Sequence, residues 1–284
     1  MFQTCDTCGV EVNPAKTIGP STCIEFLGIL IDSEAMELRM SESQLSAIKT
    51  ELQSWLGRKT GKKRELLSLI GKLVFLSRVI QPGRIFLRRL ITMSMKGKQL
   101  FHKIRLSSDA KDDILWWLSC ADAWNSKSVF LNDFWSSSGD LQMYTDASGT
   151  GIGGVLGTYW YLDYLSPAEQ TKSIAWRELL AVVVACRTWG SLLTGLRIQL
   201  FCDNESVVSI VNSGSSKCGE IMALVRSLFF IAVKFNFDIR LRHVSGVLNI
   251  DADLLSRGRL DEFLKLRGGR CAAAPTTASR DFGV

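Results

Sequence analysis

The sequence predicts an α/β fold: a mixed sheet flanked by helices in the second half of the chain, preceded by a mainly helical and basic region. Three observations carry this. Residues 141–156, LQMYTDASGTGIGGVL, alternate with a period of two and then break into glycines, the signature of a strand leading into a turn. From Asp140 onward strand and helix patterns follow in the order β-β-β-α-β-α-α-β-α, which calls for five strands in one mixed sheet. Between Gly57 and Arg105 fourteen Lys or Arg face a single acid, Glu65, within helical patterns.

At 284 residues and 46% hydrophobic, the chain buries a sizeable core as one large or two ordinary domains. No apolar run reaches the length of a membrane span, and the first ten residues lack the pattern of a secretory signal. The expected location is therefore intracellular, cytoplasmic or nuclear, with no membrane partner. Eight cysteines fit a reducing compartment, since Cys120, Cys186 and Cys202 lie inside apolar patterns where thiols pack as small hydrophobes. Cys5 and Cys8 make one CxxC with no second pair, which argues against zinc. The basic segment carries a net +13; with the whole chain at +6, the rest carries −7. A solvated helical face mixes signs, so this excess points to a polyanion, nucleic acid above all.

In order, Ile24–Ile31 (IEFLGILI) reads as a short strand with a return strand over Met36–Met40, a hairpin with no sheet of its own. Ser41 and Gln44 form a capping box ahead of Leu45, Ile48, Leu52 and Trp55 at helical spacing. A second helix covers Lys63 to Val79, with Gly71 as a place for close packing. A third, Arg84–Met95, sets Arg84, Arg88 and Arg89 on one side as a phosphate-tracking surface. A fourth, capped by Ser108, runs to Asn125. After a serine-rich link come strands at 153–156, 159–165, 198–202 and 237–242. Helices are expected at 174–193, 204–211, 220–234 and 250–256.

Four acids stand where structure alone does not ask for them. Asp146 ends a core strand, Glu178 interrupts the apolar helix SIAWRELLAVVVA, Asp203 follows the strand ending at Cys202, and Asp253 lies in NIDADLLSR. Two strand-end carboxylates and two helix carboxylates converging on one edge cannot all stay ionised without cations. Such oxygen ligands suit Mg²⁺, two ions about 3.5–4 Å apart that clamp a phosphodiester, with Mn²⁺ as an alternative. Gly149, Gly151 and Gly154 satisfy GxGxxG, but they lead into a strand instead of a helix. A tight hairpin with exposed amides is the reading preferred to a nucleotide site.

These segments resemble a family. TDASGTGIGG, WRELLAV, LFCDNESVVSIVNSG and HVSGVLNIDADLLSR are similar to the ribonuclease H domain of retroelement reverse transcriptases, with the acids in the family's order and separated by 32, 25 and 50 residues. The resemblance implies a ribonuclease H-like five-stranded sheet that cuts the RNA strand of RNA:DNA hybrids, with Asp146, Glu178, Asp203 and Asp253 as metal ligands. His243 would assist metal or product release. Ser148, Asn204, Ser206 and Asn249 would touch the nucleic acid beside Arg84, Arg88 and Arg89, RNA being told apart by its 2′-hydroxyls. Upstream, FLGILID resembles a polymerase palm end near the primer grip. SLIGKLVFLSRVIQPGRIFLRRL and DDILWWL resemble the thumb and connection of DIRS-type retrotransposons.

The implied domains are residues 1–38, a palm remnant; 39–127, a helical thumb/connection; 128–139, a linker; 140–258, the ribonuclease H domain; and 259–284, a disordered tail. No Tyr-x-Asp-Asp motif occurs, so polymerase activity is not expected, and the upstream fingers and palm of the same polyprotein become an implied partner. Oligomeric state is left open. The rival readings are a catalytically inactive fragment that grips nucleic acid, and an integrase or transposase that joins DNA strands.

Overall fold

The computed structural model describes residues 2–123, 128–129, 135 and 142–268. After a short helix α1 (Phe2–Thr7), strands β1 (Cys23–Phe26), β2 (Ile29–Asp32) and β3 (Glu37–Met40) form an antiparallel meander. The single strand expected over Ile24–Ile31 is thus two strands. Leu27 and Gly28 both take positive φ, 49° and 81°, and fold the run into a two-residue hairpin turn. Nor is the hairpin without a sheet: Ser128–Val129, inside the expected linker, pairs with β3 as a fourth strand. Most of the remaining linker, 130–139, lies outside the described residues.

Helix α2 (Glu42–Gly57) buries Leu45, Ile48, Leu52 and Trp55, as their spacing predicts. Its expected capping box does not form: Ser41 makes no side-chain cap bond, and the Gln44 amide lies over Gly28, where a Cβ would stand 2.4 Å from Gln44 Nε2. Strand β4 (Thr60–Lys62) leads into α3 (Lys63–Leu76), whose N-terminus is closed by Glu65 accepting from the Lys62 amide. A Cβ added at Gly71 would meet open space, so that glycine serves no close packing. The expected third helix is split. Gln81–Leu87 is 3-10 helix and only Arg88–Met95 is α-helical (α4), so Arg84 and Arg88 do not share one α-helical face. Gly83 sits against Trp117, where a Cβ would stand 2.2 Å from the indole. Strand β5 (Lys103–Arg105) pairs with β4 ahead of α5 (Ser108–Ala123). The cap of α5 is Ser107 and not Ser108, its Oγ accepting from the Ala110 amide at 3.3 Å. Leu52, Leu66, Leu73, Leu90, Ile114 and Trp117, all fully buried, form this half's core.

With Ser128–Val129 as β6, the second half runs β7 (Met143–Ala147), β8 (Gly151–Leu156), β9 (Tyr159–Tyr164), α6 (Pro167–Gln170), α7 (Ile174–Thr188), β10 (Arg197–Cys202), α8 (Glu205–Ser213), α9 (Gly219–Phe235), β11 (Asp238–His243), α10 (Ile250–Ser256) and α11 (Leu260–Leu266). The sheet order is β11-β10-β7-β8-β9, with β10 parallel to β7 and β11 and the other pairs antiparallel. One face is covered by α7, buried from Glu178 through Cys186, with α9 packed behind it. The other carries α10 over β7 and β8.

The glycines explain how α10 gets so close, and they correct the turn reading. Gly151, expected in the turn, lies inside β8 together with Gly153 and Gly154, whose strand is expected from 153. A Cβ on Gly153 would stand 2.5 Å from Leu255 Cβ and 2.7 Å from the Ser256 amide; one on Gly151 would stand 2.6 Å from the Ser256 carbonyl oxygen. A third, on Gly154, would enter the Tyr161 ring on the opposite face. The tail expectation is corrected over its first part. Residues 260–266 are helical, and Phe263 is fully buried against Trp160, Leu254 and Leu255. Arg267 adds hydrogen bonds to Asp251 and to the Gly157 carbonyl. Residues 269–284 lie outside the described part. Among the described residues no helix is long and apolar enough to cross a membrane.

Candidate active site

Asp146 is the fourth residue of β7 and sits opposite Gly153 of β8, under α10. It is 5% exposed, and Ser256 at the end of α10 donates its hydroxyl to Asp146 Oδ2 at 2.5 Å. Burial pushes its carboxyl up to about 6; the serine bond opposes this, while Asp203 and Asp253 add to it. Glu178 comes from the other side of the sheet, on the second turn of α7, and is 3% exposed. Burial, then the charges of Asp146 and Asp203, push it up to about 9. It is the acid the site most strongly keeps neutral.

Asp203 follows β10 directly, and its neighbour Cys202 offers a thiol 3.9 Å from Glu178 Oε2. Ligand atoms of Glu178, Cys202 and Asp203 all lie within 4.8 Å of one another. Burial raises the Cys202 thiol far above its ordinary range, so it stays protonated and the available donors are oxygens. Asp253, on the first turn of α10, is about one-third exposed and pairs with Arg257, whose Nε lies 2.7 Å from Oδ1. Thus two strands and two helices, reaching the strand tips from both faces, bring the four acids into one electrostatic neighbourhood.

The expected histidine joins this rim. Cys202 and His243 are partners across β10 and β11, and His243 Nε2 lies 3.2 Å from the Asp203 carbonyl oxygen. The four polar residues expected at the nucleic acid divide differently. The Ser148 hydroxyl accepts from the Gly151 amide at 2.9 Å and donates to the Ser256 carbonyl at 2.7 Å. It locks the β7–β8 turn onto α10. Asn204 caps α8, accepting from the Val207 amide. Asn249 is 1% exposed and donates to the Thr145 carbonyl at 3.0 Å, tying the start of α10 to β7. Ser206 is exposed on the first turn of α8. Arg84 and Arg88 are exposed, whereas Arg89 is held by Asp109 and Asp113.

Sequence reasoning missed Ser256 as the partner of Asp146, Arg257 as the partner of Asp253, and Arg177. Arg177 donates to the Ser148 carbonyl at 2.7 Å and so joins the helix bearing Glu178 to the turn after Asp146. Ser256 and Arg257 stand in the motif HVSGVLNIDADLLSR itself, the one signal that marks them.

Residues 136–229 match the model of a family described as the RNase H-like domain found in reverse transcriptase. The match takes in Asp146, Glu178 and Asp203 and ends before His243 and Asp253. No curated protein matches the chain. Among solved structures, LC11-RNase H1 in complex with RNA/DNA hybrid is 18% identical over 43% of this chain and 98% of its own, with a TM-score of 0.36. RNase H1 from the archaeon Halobacterium salinarum is 20% identical over 43% and 97%, with a TM-score of 0.33. A foamy viral protease-reverse transcriptase in complex with double-stranded DNA is 13% identical, with a TM-score of 0.27; 78% of this chain aligns to 38% of that one. The family match is to residues 136–229, about a third of the chain, and the sheet order β11-β10-β7-β8-β9 with its flanking helices is a ribonuclease H-like fold.

Proposed function

We propose that the chain is a metal-dependent endonuclease that hydrolyses the RNA strand of RNA:DNA hybrids, as the ribonuclease H part of a retrotransposon reverse transcriptase of the DIRS type. The convergence of Asp146, Glu178, Asp203 and Asp253 carries this reading. A carboxyl such as Glu178, held neutral by burial and then by the neighbouring acids, is the environment a divalent ion reverses, and an all-oxygen donor set beside a protonated thiol fits Mg²⁺ or Mn²⁺. Bound there, a pair of such ions would supply an activated water and neutralise charge on the leaving oxygen.

The chain's own residues do the rest. Ser256 orients Asp146, Arg257 orients Asp253, and Asn249 and Ser148 hold α10 at the strand tips. His243, exposed beside Asp203, is placed to exchange protons or ligands at the rim. The basic segment from Gly57 to Arg105 holds the duplex by its phosphates, with affinity that falls steeply as salt rises. The test is cleavage of a labelled hybrid in Mg²⁺, yielding 5′-phosphate and 3′-hydroxyl ends, with Asp203→Asn as control. Equal cutting by both proteins removes the assignment. Tight binding without cutting in Mg²⁺ or Mn²⁺ identifies instead an inactive fragment that only grips nucleic acid.

A further inference from the structure

Away from the carboxylates, a cleft of about 310 Å³ opens where the two halves meet. Arg88 and Arg89 line it from α4, Lys96 from just past its end, Asp109 from α5, Lys217 from the loop after α8, and Arg226 from α9. Five cations thus face one acid, and that acid is spoken for, since Asp109 pairs with Arg89 at 3.6 Å. Arg88, Lys96 and Lys217 have no carboxylate partner among the described residues and are exposed. Below them, the buried Asp113 holds one guanidinium from each half, Arg89 at 3.4 Å and Arg226 at 3.2 Å. Those two arginines are therefore fixed before any ligand arrives. The wall is completed by Gly219 and Met222 at the start of α9, a helix of 17 residues whose N-cap, Cys218, makes no side-chain bond.

Position selects the kind of anion. The cleft lies at the C-terminal end of α8, and Asp203 lies just before its N-terminal end. Helix α8 between them, nine residues at 1.5 Å each, is about 14 Å long. At about 3.4 Å per nucleotide that is roughly four nucleotides of one strand.

We propose that this cleft holds a backbone phosphodiester of the nucleic acid whose neighbouring segment lies at the four carboxylates, so that one strand is gripped by both halves at once. The choice of a polymer over a small phosphate rests on the nuclease reading of the carboxylate site; the anion specificity does not. Arg88, Lys96 and Lys217 supply mobile charge, and Arg89 and Arg226 a rigid floor that joins the two halves beneath the strand.

The experiment is lysine acylation of the full chain, without metal, read by mass spectrometry in the presence of an RNA:DNA hybrid, inorganic phosphate or a nucleoside triphosphate. The hybrid is expected to slow acylation of Lys96 and Lys217 at least about fivefold and to leave exposed Lys16 unchanged. The double variant Lys96→Ala/Lys217→Ala is expected to bind the hybrid about tenfold more weakly, with the slope of log affinity against log salt reduced by about 1 to 2. Unchanged acylation together with an unchanged slope overturns the proposal and leaves the cleft an ion-paired interface between the halves. Protection by micromolar phosphate or triphosphate that the hybrid does not displace also overturns it, in favour of a small-anion site. Protection by a hybrid that the protein then fails to cut in Mg²⁺ leaves the cleft standing and removes the nuclease reading.

Discussion

Replacing Gly153 by alanine tests how the site is built. The added Cβ would lie 2.5 Å from Leu255 Cβ, 2.7 Å from the Ser256 amide nitrogen and 3.0 Å from the Ala252 carbonyl oxygen. None of these is the end of a flexible side chain, and carbon contacts settle at about 3.5–4.0 Å. The strain therefore falls on the helix, and α10 must move off β8 by about 1 Å or more. Overpacking of this kind costs about 1–3 kcal/mol, or a fall in melting temperature of about 2–4 °C per kcal/mol. The functional loss is larger, because α10 carries Asp253 and Ser256: a shift near 1 Å at a site of this kind costs about 100-fold in rate. Gly149→Ala is the control, since its nearest heavy atom would be Arg177 Nη1 at 3.8 Å and its φ is not positive. Melting and hybrid cleavage measured side by side decide it. If Gly153→Ala melts and cuts like wild type, the close packing of α10 on β8 does not position the acids, and the reasoning fails.

Three further outcomes follow from other parts of the molecule. Glu178 is pushed up to about 9 from an ordinary 4.5, so the folded protein keeps a proton that the unfolded chain sheds. The metal-free protein should lose stability as pH rises from about 5 to 9, Glu178→Gln should flatten that slope, and Mg²⁺ binding should release protons and tighten with pH, read by melting curves and by calorimetry in two buffers. Asp113→Ala leaves Arg89 and Arg226 without their shared buried partner. It should cost about 3–5 kcal/mol in urea unfolding; a loss below about 1 kcal/mol would show that the pair does not join the halves. Phe263→Ala empties a fully buried position on α11 and should cost about 3 kcal/mol, whereas a loose tail would show no change.

What could be read from the residues was whatever repeats along a single element. Leu45, Ile48, Leu52 and Trp55 announced their helix by spacing alone, and the alternation before Asp146 announced its strand. Asp146 and Glu178 stood out for a related reason, since each broke the pattern of an apolar element, whereas Asp203 just past β10 and Asp253 on the first turn of α10 stood out only beside them. Contacts between elements were not legible. Gly151 looked like part of a turn, and Gly153 gave no sign of close packing, because the helix that needs them arrives about a hundred residues later; Gln44 looked like a cap because its neighbour Gly28 belongs to another element. Ser256 gave no local sign of its partner either. The ribbon of β4 and β5 has three residues per strand, too few to show a period. The helix around Phe263 went unread because an expected tail hid a short apolar pattern, one that is stable only when laid against Trp160 and Leu255.

The hydroxyl of Ser256 meets Asp146 across 110 positions of chain. During synthesis, Asp146, Glu178 and Asp203 leave the ribosome well before α10 exists, and β8 emerges with a bare glycine groove where that helix belongs. Under the proposed chemistry, such a nascent polypeptide grips its polyanion with the basic helices already made and has no competent hydrolytic centre.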